Sequence, residues 1–114
     1  MFVEWLLAWL LETTVFDFEW DAGNRTKSQT KHNVAIEEVE SVFRAKRAVP
    51  LGIQVLPVVP ELRCGVIGPS AEGRVLQIAF VLRRGRVRVI SARPAHRKER
   101  AQYDTVARQI FEEL

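Results

Sequence analysis

Seven arginines and one lysine fall between residues 83 and 100: Arg83, Arg84, Arg86, Arg88, Arg93, Arg97, Lys98 and Arg100, with Glu99 as the single acid among them. Guanidinium forks pair bidentately with phosphate or carboxylate, so the concentration suits an anion held by several charge-assisted hydrogen bonds. Just past Asn24, the run NRTKSQTKH adds Lys27, Lys31 and His32 as further candidates for phosphate contact. A solvated charged face is the plain alternative for both groups.

The elements that must position these groups lie mostly in residues 73–104. Residues 75–82 and 87–90 are β-branched and apolar, and Arg84-Gly85 between them is short enough for a two-residue hairpin connection. In that register Leu82 faces Val87, Phe80 faces Val89, Ile78 faces Ser91 and Leu76 faces Arg93. Leu76, Ile78, Phe80, Leu82, Val87 and Val89 then share the core face. Arg93 falls on the same parity, at the rim of the sheet or paired with a buried carboxylate such as Asp21. Arginine is a poor first residue for such a turn, which leaves a longer loop and a shifted register open. Arg83 opposite Arg86 sets like charges side by side unless an anion sits there. Pro94 stops strand pairing, and from Arg97 the spacing of Tyr103, Val106, Ile110 and Leu114 predicts a helix. The basic cluster thus meets a helix N-terminus, whose free N–H groups already favour an anion. Cations there oppose the helix dipole, so helix stability does not explain them.

The chain's 114 residues make one domain, with ordinary globular composition, a net charge of +3 and a pI near 9.5. Charge is uneven: residues 1–22 carry acids only, and every base lies beyond Asn24. Such a chain suits a polyanion or an acidic protein partner. Cys64 is the only cysteine, which excludes an internal disulfide and fits a reducing cytoplasm. With only His32 and His96 besides, there is no credible zinc or haem ligand set, so catalysis would be metal-free and need no cofactor.

The apolar start, MFVEWLLAWLL, is too short to cross a bilayer and lacks the basic start of a signal peptide. It reads as a helix or strand capping the core, a partner contact, or an upstream extension; residues 1–14 are set apart on this ground from a domain over 15–114. Residues 15–21 alternate apolar and acidic, a half-buried strand with Phe16, Phe18 and Trp20 inward. Asp21 stands where an N-cap would. The NRTKSQTKH run is a solvated helix or a loop, and Asn33 suits its end. Ala35, Ile36, Val39, Val42 and Phe43 mark an amphipathic helix with Glu37, Glu38 and Glu40 outside. Residues 49–60, with Pro50, Pro57 and Pro60, form an edge strand or an extended loop. Residues 62–67 are a further strand and Gly68-Pro69-Ser70 a turn. The sum is α+β: a mainly antiparallel sheet of about four strands, two N-terminal helices and a C-terminal helix.

FEWD at residues 18–21, Lys31-His32, Glu37-Glu38 with Phe43, ISAR at 90–93, then RKER at 97–100 and Tyr103 resemble, in order and spacing, the BrnT toxins of bacterial type II toxin-antitoxin systems. Asn33 stands where that family usually has glycine, and Ser28 where asparagine is common. The resemblance implies a RelE-like fold and a ribonuclease that blocks translation. It further implies a BrnA-like ribbon-helix-helix antitoxin and contact with operator DNA only through that partner; no membrane is expected, because the apolar start is too short to span one. A homodimer or hetero-oligomer stays open.

Metal-free RNA cleavage needs a base for the 2′-hydroxyl, an acid for the departing 5′-oxygen, and fixed cations facing the charge on phosphorus. Lys31 and His32 are the best acid or base candidates, histidine being the side chain that titrates near neutral pH. Arg93 would clamp the phosphate. Glu99 would act as base or orient an arginine, and Tyr103 would stack on a base, donate a proton or pack in the core. Lys27, Arg86, Arg88, Arg97, Lys98 and Arg100 would hold the RNA backbone. Two rival readings use the same basic face: a module that binds antitoxin or nucleic acid without cleaving, and a RelE-fold toxin acting on a protein such as gyrase.

Overall fold

Alternating apolar residues and two tight turns produce a plain antiparallel meander. The strands are β1 (Val49–Val55), β2 (Leu62–Pro69), β3 (Val75–Arg83) and β4 (Arg86–Pro94), hydrogen-bonded in that order. The computed structural model describes residues 4–55 and 61–112; the last residues of the proline-rich stretch read as edge strand or loop lie outside them, and its first part is the edge strand β1. Helices α1 (Glu4–Glu12), α2 (Lys27–His32) and α3 (Ile36–Arg44) precede the sheet, and α4 (Arg97–Ala107) follows it, continuing as one π-turn over Arg108–Glu112. The α+β architecture stands as expected.

The β3–β4 hairpin closes through Arg84-Gly85, both with positive φ (53° and 77°), so the connection is the two-residue one. Arg83 does face Arg86, Leu82 faces Val87 and Phe80 faces Val89. Beyond Phe80 the register differs from the expectation. Ala79 pairs with Ser91, Ile78 with Ala92 and Gln77 with Arg93, so Ile90 is an extra residue forming a β-bulge. Because side chains alternate, one inserted residue reverses the faces of everything after it. Ala92 enters the core, fully buried, and Arg93 turns to the opposite face beside Gln77. Pro94 does not end pairing: it faces Leu76 as the last residue of β4.

The main core lies on one face of the sheet, where Leu76, Ile78, Phe80, Val87, Val89 and Ala92 pack against Val39, Val42 and Phe43 of α3 and Leu6 and Leu10 of α1. Trp9 stacks on Phe80 and meets Phe16 and Phe43 edge-on. Of the readings open for the apolar start, the described part is a helix packed into the core. Lys46 ties it down: its Nζ donates to the carbonyls of Leu10, Leu11 and Thr13 and lies 4.7 Å from the centre of the Phe16 ring. The opposite face carries a second, smaller cluster, in which Val49 and Ile67 pack under Tyr103, Ala107 and Ile110. Gly68 lets two segments touch, since a Cβ there would sit 2.8 Å from the Ala48 Cα.

Four local expectations are corrected. Gly68 and Pro69 are not in a turn but end β2, paired with Leu76 and Val75, and the turn follows over residues 70–74. Residues 15–21 are extended but form no strand: a single parallel bridge joins Phe18 to Val87, although Phe16 is buried and Phe18 and Trp20 pack on the core as expected. Asp21 does not cap α2; it heads a turn, accepting Gly23 N–H at 2.8 Å, and Thr26 precedes the helix. Glu38 is not outside. It is 6% exposed, because Arg74 binds both its oxygens at 2.7 Å and Ser70 Oγ donates to it at 2.8 Å, which holds its carboxyl below the usual range.

Candidate functional site

The acids of residues 17–21 and the arginines of the β3–β4 hairpin meet on one face. Arg86 pairs with Asp17 at 3.2 Å and donates to the Phe18 carbonyl. Arg88 binds Asp21 at 2.7 Å and Glu19 at 3.3 Å, and its guanidinium holds the Asp21 carboxyl below the usual range. Arg83 takes Glu61 and, at 3.8 Å, Glu19. The like charges facing each other at the hairpin end are therefore neutralised from within the chain. Arg86 and Arg88, candidates for RNA phosphate, are already engaged.

Arg93 is the most fully hydrogen-bonded guanidinium of the cluster among the described residues. Its Nη1 donates to Glu99 Oε1 at 2.9 Å and to the Pro94 carbonyl at 3.2 Å; its Nη2 donates to Glu99 Oε2 at 2.9 Å and to Gln77 Oε1 at 2.8 Å. Four of the five N–H donors are satisfied, leaving Nε–H. The partner is Glu99 rather than Asp21, because the bulge carries Arg93 to the face on which α4 begins. Glu99 also accepts the His96 backbone N–H at 2.7 Å, closing a capping box on α4.

With Arg93 and then that backbone donor against it, the Glu99 carboxyl is drawn down from 4.5 to about 2. So weak a base suits orienting an arginine better than abstracting a proton. The sign of the pH effect follows. A carboxyl whose folded pKa is depressed adds stability that is present above its unfolded value and lost as pH falls through about 2. Thermal melts should therefore show a midpoint declining from about pH 4.5 downward, with a shallower decline in Glu99→Gln; equal slopes in the two proteins would contradict this.

The remaining candidates divide. The Tyr103 hydroxyl donates to the Arg47 carbonyl at 2.6 Å, and burial pushes its phenol up, so the ring is fixed in the smaller core. Arg100 donates to the Ala95 carbonyl at 2.9 Å. Arg97 and Lys98 are exposed on the first turn of α4, with no salt bridge to a carboxylate among the described residues.

Lys27, Lys31 and His32 reach this neighbourhood through α2, which lies along the free edge of β4: Ser28 Oγ accepts the Ala92 N–H at 2.9 Å, one residue from Arg93. His32, four residues on, shares the Ser28 side of the helix, and Lys27 and Lys31 follow one another a turn apart on a neighbouring side. Asn33 ends α2 at φ 54°, a left-handed position that explains why glycine or asparagine serves there.

Sequence alone does not mark Asn24, Ser28 and Gln77 as positioning residues. Asn24 is buried and ties the acidic segment to β4, donating to the Glu19 and Val89 carbonyls at 3.0 and 3.1 Å. Its place at the start of a wholly polar run was the available signal. Gln77 gave none until the bulge set it opposite Arg93.

An antiparallel sheet flanked by helices, with a basic β4 end running into a basic helix start, defines an α+β protein with a basic face at the β4–α4 junction. Residues 20–99 match the family model described as ribonuclease toxin, BrnT, of type II toxin-antitoxin system, and the chain belongs to that family. No curated protein matches it. Toxins of this type are paired with a protein antitoxin. Among the described residues no helix is long and apolar enough to cross a membrane.

Proposed function

We propose that the chain is a metal-independent endoribonuclease that stops translation in the cytoplasm and is silenced by a BrnA-like ribbon-helix-helix antitoxin. The observation that carries the reading is the Arg93 guanidinium, held by Glu99 and Gln77 near the end of β4, next to the Ala92 that bonds to α2 and a few residues before α4 begins.

In this reading the 2′-oxygen of RNA attacks the adjacent phosphorus as its proton passes to His32 or Lys31. The P–O5′ bond then breaks, and the 5′-oxygen takes a proton from the other of the two. The added negative charge on the phosphoryl oxygens meets Arg93, with Arg97 and Arg100 beside it. Glu99 holds Arg93 in place, and Tyr103 supports the helix that carries Glu99. Lys27 and Lys98 guide the backbone, while Arg86 and Arg88 hold the acidic segment or exchange its carboxylates for phosphates. Operator DNA is reached only through the antitoxin, whose acidic groups would cover the basic face.

Incubating the purified protein with RNA in EDTA tests the reading. Fragments ending in 2′,3′-cyclic phosphate and 5′-hydroxyl are expected. RNA retained but uncut would favour a non-catalytic binding module, and RNA neither bound nor cut would favour a protein target such as gyrase.

A further inference from the structure

A groove of about 440 Å³ runs between the β1 edge and α4. Its walls include Leu51, Ile67 and Val106, and its polar groups include Gln77, Glu99 and Gln102. Two of those, Gln77 and Glu99, are the side chains that hold the Arg93 guanidinium. A phosphate at Arg93 therefore stands at the groove's mouth, and the sugar next to it would carry its base inward.

The chemistry of the lining suits such a base. Apolar-walled grooves with a few placed amides take aromatic rings with polar edges, and single-stranded RNA is read by bases splayed out of the stack. Gln77 Oε1 is committed to Arg93, which leaves its Nε2 hydrogens as donors; Gln102, exposed on α4 three residues beyond Glu99, offers both a donor and an acceptor. Leu51 is 46% exposed on the rim, apolar surface that a base would cover. The helix forming the other wall begins with Arg97, Lys98 and Arg100, a charge that fits a polyanion.

We infer that this groove is a nucleobase subsite, taking one unstacked base of the RNA strand whose phosphate lies at Arg93. The inference rests on the nuclease reading for its strand, yet its test does not need cleavage. The probe is an uncleavable 2′-O-methyl trinucleotide, titrated into the protein while the side-chain amide signals of Gln77 and Gln102 are followed by NMR. Both signals should move. Making the base that occupies the groove abasic should weaken binding by about tenfold or more, the scale of one lost stacking contact. Leu51→Trp, a substitution on the exposed rim, should fill the groove and bind the intact and abasic probes equally. Amides that stay still while the trinucleotide binds, or an abasic probe that binds as well as the intact one, would overturn the subsite. So would amides that answer only to an antitoxin peptide. Failure of the nuclease reading is seen separately, as uncut RNA.

Discussion

Replacing Arg93 by alanine is expected to lower RNA cleavage at least a hundredfold while the protein stays folded. The magnitude is that of removing one preorganised donor aimed at developing charge, about 10²–10³ in rate. The fold should survive because the Arg93 and Glu99 side chains are 29% and 26% exposed, so water can solvate the carboxylate left behind. Its capping of the His96 N–H needs no arginine. The loss should appear in kcat more than in KM, since uniform backbone attraction from Arg97, Lys98 and Lys27 remains. Arg93→Lys keeps the charge but not the fork, and it should recover little. Near-normal cleavage by a folded Arg93→Ala protein would remove this arginine from the chemistry.

The second large effect is on stability and comes from the other end of the chain. Leu6→Ala with Leu10→Ala should abolish cooperative folding. The two side chains are 0% and 2% exposed in the main core, and each such truncation costs about 2–5 kcal/mol through lost burial and the cavity left behind. Their sum rivals the whole stability of a domain, about 5–15 kcal/mol. Trp9 would lose its seat on Phe80 as well, and the three carbonyls held by Lys46 would lose their order. A sharp, near-native thermal transition in the double variant would show instead that α1 merely decorates the domain.

Much of the fold was open to reading because it rests on local periodicity. Runs of β-branched and apolar residues marked β3 and β4, three- and four-residue spacing marked α3 and α4, and Arg84-Gly85 marked the turn. The apolar start resisted because its residues are hydrophobic on every side, so no period distinguishes a packed helix from a loose extension. Glu38 misleads for the opposite reason. Its position on the helix wheel says polar, and only a partner 36 residues away, Arg74, makes its burial affordable.

The candidate site was open to proposal from residue types, but its geometry was not. An antiparallel strand can absorb one extra residue almost anywhere, and nothing local in the run around Ile90 announces that it does so there. Yet that single residue decides whether Arg93 points into the core or stands with Glu99.

The pairing of Asp17, Glu19 and Asp21 with Arg86 and Arg88 bears on how the protein would sense ionic strength. Affinity for single-stranded RNA falls with salt in proportion to the number of counterions that incoming cations displace from the phosphates. A guanidinium that trades a carboxylate for a phosphate regains little, so those two arginines add little net attraction. If the chain acts on RNA as proposed, the steepness of the salt dependence would be set mainly by Arg97, Lys98, Lys27 and Lys31, and the chain would grip RNA less tightly at low salt than its roster of basic residues suggests.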